Sequence, residues 1–292
     1  MEKLWRLAAD TRLQVIGYRC LGGPEQQVLV KCEQYTPTGN SRYRLALYIL
    51  QKAYELGQLR PGDHLMVAGA GDSALAYAAI ARALAHPVRV FMPAGDRPLV
   101  AQLQSYGAEV VQEPDLLTCR ERVRLMQHHD GVFLPHLLNG PYAIAAYEHT
   151  AGREIGHQLL LNRLHPDAFI AAAGTGATVL GIGKYLSRLY PNMLVHPLHV
   201  PGVDGDSRYP ELSMLNKMRV IEPRAVPDLQ QQLNDLGLNA GPIAAANLLG
   251  AIELQQQLAP RSLVVTVFPD SAGHSPPVEI RSAVCLTGCR IL

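Results

Sequence analysis

The chain has 292 residues, a formal charge of +1 and a charged fraction of 17%. This length allows one large or two modest domains with a buried core. The near-neutral charge argues against a nucleic-acid partner, because a polyanion usually requires a strong basic excess. No stretch approaches the roughly 18 apolar residues of a membrane helix. Five scattered cysteines fit a reducing compartment better than a disulfide framework, so we expect a cytoplasmic protein without membrane association.

Short apolar runs and helical patterns alternate along the chain. Strands are predicted at 64–68, 88–92, 169–173 and 263–268, and helices at 41–56, 73–84, 142–160, 177–189 and 242–258. Strands that are apolar throughout are typical of a parallel sheet covered on both faces. The alternation therefore predicts an α/β fold, with residues 201–210 (PGVDGDSRYP) as its clearest loop.

Four polar segments follow predicted strands or precede helices, where α/β sheets bind ligands. They are 36–41 (TPTGNS), 68–74 (AGAGDSA), 173–178 (AGTGAT) and 269–274 (PDSAGH). In the third, backbone N–H groups and hydroxyls at a helix N-terminus suit a phosphate. The alternative for that segment is a plain strand–helix turn.

Together with 10–13 (DTRL), 106–110 (YGAEV) and 152–155 (GREI), these segments resemble, in order and spacing, the cysteine synthase and cystathionine β-synthase family. The family consists of pyridoxal-phosphate (PLP) enzymes with the type II fold. The resemblance implies two α/β domains, each a mainly parallel sheet flanked by helices. It places a smaller domain at 40–145, inserted into a larger one formed by 1–39 and 146–292, and it implies a homodimer.

The resemblance assigns the phosphate of PLP to a loop of five residues and the pyridine nitrogen of PLP to the hydroxyl of Ser271. The loop residues are Gly174, Thr175, Gly176, Ala177 and Thr178. Ala177 replaces a glycine of the family pattern, which is harmless if its φ is negative. The alternative for Ser271 is a turn or capping serine.

The lysine that carries PLP in the family is missing. The family loop runs S-x-K-D-R, whereas residues 40–44 are NSRYR: Arg44 keeps the final arginine, and Arg42 stands at the lysine. A guanidinium does not deprotonate in proteins and cannot form a Schiff base. Lys31 lies upstream in the preceding strand, and no other lysine is a natural substitute. We therefore expect PLP, if it binds, to bind only non-covalently.

The substrate loop of the family, TSGNTG, is also changed. Residues 69–74 are GAGDSA. Gly69 and Ala70 therefore lack hydroxyls, and Asp72 replaces an asparagine. A carboxylate there repels an anionic substrate unless it is neutralised. Arg42 and Asp72 either form a compensating salt bridge or are independent residues.

These changes lead to three hypotheses. The first is a pseudoenzyme: a non-catalytic subunit, scaffold or ligand-sensing protein with a possible protein partner. The second is a repurposed enzyme that binds a small phosphorylated ligand in the 174–178 loop. The third is non-covalent binding of PLP. The histidines lack the spacing of a metal site, and the tail at 276–292 has no assigned role.

Overall fold

The computed structural model describes residues 1–20, 22–127, 129–135, 141–201, 210–273, 285–286 and 289–291. The helices are α1 (Glu2–Ala8), α2 (Arg42–Glu55), α3 (Asp72–Ala83), α4 (Arg97–Ser105), α5 (Leu116–Leu125), α6 (Pro141–Tyr147), α7 (Arg153–Leu161), α8 (Ala177–Leu189), α9 (Val226–Asp235) and α10 (Pro242–Gln257). The strands are β1 (Leu13–Cys20), β2 (Glu25–Cys32), β3 (His64–Ala68), β4 (Val88–Pro93), β5 (Glu109–Glu113), β6 (Val132–Phe133), β7 (Ala168–Ala172), β8 (Leu194–His199), β9 (Arg219–Val220), β10 (Val264–Phe268), β11 (Cys285–Leu286) and β12 (Cys289–Ile291). Nearly all of the predicted 201–210 loop and most of the 276–292 tail lie outside the described residues.

The chain divides into two compact units. The smaller unit contains Met1–Ala9 and Arg42–Tyr142, and the larger contains Asp10–Ser41 and Ala143–Leu292. The boundaries inferred from the sequence placed residues 1–39 together in the larger domain, but α1 belongs to the smaller unit. The reason is local packing: Trp5 lies against the apolar core of that unit, and its Nε1 donates a hydrogen bond to Gln51 Oε1 at 2.5 Å.

The larger unit contains an eight-stranded sheet in the order β11-β12-β1-β2-β10-β7-β8-β9. Strands β2, β10, β7, β8 and β9 are parallel, whereas β1 pairs antiparallel with β2 and β12. Because the carboxyl ends of parallel strands lie at one edge, the segments that follow β2, β7 and β10 emerge there together. This topology brings the 36–41, 173–178 and 269–273 segments to the same edge of the larger unit.

The smaller unit contains a four-stranded sheet in the order β5-β4-β3-β6, with parallel pairing throughout. Its apolar core is formed by β3 and β4 together with inward-facing residues of α2 and α3. The rewritten 69–71 loop follows β3 and leads into α3, as expected for a ligand-binding loop of an α/β sheet. Both sheets confirm the α/β fold class.

The predicted helix at 142–160 is interrupted by a π-helical turn, Glu148–Gly152, between α6 and α7. Against this segment α8 packs through glycine. A Cβ built on Gly181 would lie 2.5 Å from Ile144 O and 2.8 Å from Tyr147 Cβ. Since a backbone oxygen cannot move aside easily, the close approach of these helices requires a glycine at 181.

None of the described helices is long and apolar enough to cross a membrane. Cys32 and Cys119 are free and buried, in line with the expectation from the scattered cysteines. Burial raises the pKa of the Cys32 thiol to about 12, so this thiol stays protonated at neutral pH. Cys20 departs from the expectation, because it is disulfide-bonded.

We expect Gly181→Ala to destabilise the protein by about 2 kcal/mol, because the added methyl group overpacks the contact with α6. Urea unfolding followed by circular dichroism measures the change. Gly23→Ala is the matched control, since its Cβ would come no closer than 3.4 Å to another atom. Equal midpoints for the two variants would contradict the packing argument.

Candidate functional site

The TPTGN turn after β2 is held by its own polar groups. The hydroxyl of Thr36 donates to Asn40 O at 2.5 Å, and Asn40 N donates back to Thr36 Oγ1 at 3.0 Å. The Asn40 side chain donates to Thr38 O at 2.7 Å. The hydroxyl of Thr38 is buried, and it has no hydrogen-bond partner among the residues described. An orphaned buried hydroxyl is the kind of group that a bound ligand satisfies.

The segment after β10 joins this turn. Ser41 N donates to Pro269 O at 2.8 Å, and Asn40 and Asp270 form an isolated antiparallel bridge. A Cβ built on Gly39, where φ is +71°, would lie 2.7 Å from Ser271 Oγ. Gly39 therefore allows the Ser271 hydroxyl to approach the turn closely, at the edge where the resemblance expects the cofactor ring.

Asp270 has a structural role that the sequence did not suggest. Its carboxylate accepts hydrogen bonds from Ile243 N at 3.1 Å and Ala244 N at 2.8 Å, in the first turn of α10. A carboxylate at this position satisfies free N–H groups and stabilises the helix dipole. Asp270 thus caps the start of α10. The same contact positions the next residue, Ser271.

The 174–178 loop has the geometry of an anion site. Gly174 and Gly176 have φ of +47° and +98°, and a Cβ on either would meet nothing within 4 Å. Helix α8 begins at Ala177, so the first N–H groups of the helix point out of its N-terminus without intrahelical partners. Ala177 is buried and is not among the described residues with positive φ, so a side chain is harmless there.

The larger unit therefore fits part of a PLP molecule. Open space at two glycines and a helix N-terminus suit the phosphate, and the hydroxyls of Thr38 and Ser271 are available at the same edge of the sheet. When bound in enzymes, PLP supplies an electron sink for reactions at the α-carbon of amino acids. Covalent attachment of PLP requires a lysine in addition to these groups.

Arg42 and Asp72 occupy equivalent places in the smaller unit, as the first residues of α2 and α3. Surrounding atoms withhold water and raise the pKa of Asp72, and the positive charge of Arg42 opposes that rise. Asp72 is nevertheless exposed, so its carboxylate keeps contact with water. The charge of Arg42 thus acts on Asp72, and a salt bridge between the two side chains stays a prediction.

The loop that precedes α3 has an unusual backbone conformation. Gly69 and Gly71 have φ of +142° and +86°, values that residues with a side chain rarely adopt. A threonine at 69, as in the family pattern, would be strained in this conformation although space is available. The conformation of this loop therefore suits glycine at 69 and disfavours the threonine of the TSGNTG pattern.

Lys31 is the last lysine before position 42 in the sequence, and it is fully buried. Its Nζ donates to Thr11 O at 2.7 Å, Glu154 Oε2 at 2.8 Å and Gln158 Oε1 at 3.1 Å. Three acceptors use all three N–H bonds of an ammonium group. Lys31 is consequently a structural residue, and it is not available to a carbonyl group of a ligand.

The other lysines are Lys3 and Lys52 in the smaller unit and Lys184 and Lys217 in the larger unit. Two of them are held by carboxylates, Lys52 by Glu55 at 2.5 Å and Lys184 by Glu148 at 2.9 Å. Lys3 and Lys217 are exposed, on α1 and just before β9. Among the residues described, none of these four lysines stands at the start of α2, whose first residue is Arg42. The same part of the chain contains no group of three potential metal ligands.

The fold and these loops define a two-unit α/β protein of the PLP-enzyme type. The family model "Pyridoxal-phosphate dependent enzyme" matches residues 11–233. The chain belongs to this family, in the group of cysteine synthases and cystathionine β-synthases.

Relatives of known function agree with this assignment. A cysteine synthase of Staphylococcus aureus is 27% identical over 267 residues, which cover 84% of this chain and 86% of the relative. Cysteine synthase B of Pseudomonas aeruginosa is 28% identical over 201 residues, 66% of each chain. The crystal structure of a hydrogen sulfide-producing enzyme from Fusobacterium nucleatum superposes with a TM-score of 0.85 at 28% identity, covering 92% of this chain and 88% of that one.

We expect Lys31→Met to destabilise the protein by about 3 kcal/mol, because it leaves the Glu154 carboxylate without its buried partner. Thermal or urea unfolding measures the loss. Lys52→Met removes an exposed ion pair and should change stability by less than about 1 kcal/mol. If the two variants lose equal stability, the buried network does not have the weight assigned to it.

Proposed function

We propose that this chain is a cysteine synthase-like protein that has lost Schiff-base catalysis and acts as a non-catalytic subunit, scaffold or ligand sensor. Arg42 carries the proposal. It is the first residue of α2, at the position that the resemblance gives to the lysine of the family. A guanidinium keeps its proton at any physiological pH, so it has no lone pair with which to attack the aldehyde of PLP.

The 69–74 loop supports the same conclusion from the substrate side. Asp72 places a carboxylate in the first turn of α3, where free N–H groups and the helix dipole favour an anion. A substrate carboxylate would have to displace or share that position against charge repulsion. Together with Gly69 and Ala70, which supply no hydroxyls, Asp72 makes this loop a poor amino-acid site.

The ligand that we propose is a small phosphorylated molecule bound at the 174–178 loop. The support is the open helix N-terminus beside two glycines with positive φ, with Thr175 and Thr178 as additional donors. The hydroxyls of Thr38 and Ser271 would bind polar groups of the same ligand. A homodimer, a protein partner and a cytoplasmic location stay predictions from the sequence and the resemblance.

The second candidate is a repurposed enzyme, or a protein that holds PLP without a covalent bond. The favouring observation is that the larger unit retains the features that suit a phosphate and a ring nitrogen, although the smaller unit does not retain the lysine. The S. aureus relative is a cysteine synthase, and the F. nucleatum structure is that of a hydrogen sulfide-producing enzyme. Sulfide release and cysteine formation are therefore the activities to assay first.

We expect no lysine-bound PLP in the purified protein. The wild type, Arg42→Lys and Arg42→Lys/Asp72→Asn are incubated with PLP and treated with borohydride, and peptide mass spectrometry locates any reduced adduct. The wild type should carry none, whereas both variants should carry one at position 42. Arg42→Lys should still lack cysteine synthase activity, because Asp72 remains in the substrate loop.

Arg60→Lys is the control for this experiment, since it adds a lysine at an exposed position of the same unit. A specific adduct on a lysine of the wild-type chain, together with sulfide or cysteine production, would overturn the proposed loss of catalysis. An absence of adduct in Arg42→Lys would show instead that position 42 does not correspond to the lysine of the family.

We expect Thr175→Val to weaken binding of pyridoxamine phosphate about tenfold, because the variant loses one hydrogen bond to a charged phosphate, worth about 1.5 kcal/mol. Pyridoxamine phosphate is the probe because it has no aldehyde and tests non-covalent binding alone. Calorimetric titration gives the affinity. Ser187→Ala, near the other end of α8, is the control and should bind as the wild type does.

A further inference from the structure

A cleft of about 410 Å³ lies at the edge of the larger unit's sheet, beside β9. Its lining consists of Lys217, Met218, Arg219, Val220 and Gln257. Two of these residues are cationic and none is acidic. None of these residues belongs to the 174–178 loop or to the smaller unit.

The sheet register shows which way Arg219 faces. Leu198 of β8 lies opposite Arg219 of β9, and Leu198 Cδ1 would lie 2.9 Å from a Cβ on Gly250 of α10. Side chains that pair across strands share a face of the sheet, so Arg219 lies on the α10 side. Glu253, one turn beyond Gly250, feels the charge of Arg219. Gln257 follows one turn later and lines the cleft.

Two buried polar atoms next to the cleft have no hydrogen-bond partner. Arg219 Nε is one of them. The other is Nε2 of His196, a side chain that is only 8% exposed. The Nδ1 of His196 donates to Lys217 O at 2.9 Å, so in the neutral ring Nε2 is an acceptor. Buried polar groups are nearly always satisfied, and Arg219, whose Nε is unpaired, also lines the cleft, so its guanidinium is the kind of donor that a bound oxyanion satisfies.

Glu253 does not occupy this place. Burial raises the pKa of the Glu253 carboxyl, and the charge of Arg219 opposes the rise. No salt bridge joins Glu253 to Arg219, and both side chains belong to the described part of the chain. The guanidinium therefore keeps a free donor directed at the α10 side of the sheet edge.

We propose that this cleft binds a small oxyanion, a carboxylate or a phosphate, through Lys217 and Arg219. Gln257 supplies a further donor. The site is separate from the 174–178 loop. Helix α10 begins at the edge where Asp270 caps it and runs to the far end of the sheet, where Gln257 is its last residue.

Side-chain NMR of the whole protein tests this proposal at Arg219 itself. The Nε–H resonance that disappears in Arg219→Lys is assigned to Arg219, and it is followed during separate titrations with propionate, L-lactate and inorganic phosphate. We expect saturable shifts below about 10 mM. Shifts with the carboxylates alone or with phosphate alone identify which oxyanion the site takes.

Two variants separate a binding site from a merely structural cluster. Lys217→Gln should weaken binding about tenfold, and Glu253→Gln should tighten it, because that change removes a negative charge from beside the ligand. Arg224→Lys is the control, at an arginine that is 94% exposed, and it should have no effect. If none of the three probes moves the Arg219 resonance, the proposal is wrong. The result does not depend on the phosphate loop, so the proposed function stands or fails separately.

Discussion

The buried ammonium group of Lys31 joins segments of the larger unit that are far apart in sequence. It binds the backbone before β1, through Thr11, and two side chains of α7, Glu154 and Gln158. The hydroxyl of Thr11 in turn donates to Glu33, directly after β2, at 2.7 Å. A charge removed from water is stable only when such partners surround it. Two segments that resemble the family, DTRL and GREI, therefore meet at one lysine and have a structural role.

The Lys31 network also limits the lysines that are available for covalent attachment of PLP. A chain with five lysines has few candidates for covalent attachment of PLP, and one of them, Lys31, is buried in the core. The larger unit retains a helix N-terminus and the hydroxyls of Thr38 and Ser271, while the smaller unit presents Arg42 and Asp72. The larger unit contains groups that suit a phosphate ester, and at the start of α2 the smaller unit has an arginine and not a lysine.

Much of this was predictable from local patterns. Apolar runs gave the strands β3, β4, β7 and β10, and the glycines of the 174–178 loop gave the helix N-terminus. Contacts between distant residues were not predictable, because sequence spacing does not reveal which polar groups share a buried site. The capping of α10 by Asp270, the Lys31 network and the packing of α1 in the smaller unit are of this kind. Arg42 and Asp72 begin α2 and α3, and a salt bridge between them depends on side-chain conformations that sequence spacing does not reveal.

The backbone at Gly69 has a consequence for the history of the protein. Its φ of +142° is accessible to glycine and costly for threonine. A mutation that restored the threonine hydroxyl alone would therefore destabilise the loop before it could help bind a substrate, and a lysine restored at position 42 would gain nothing without that loop. The backbone at Gly69 thus resists the threonine of the family pattern whatever residue stands at position 42.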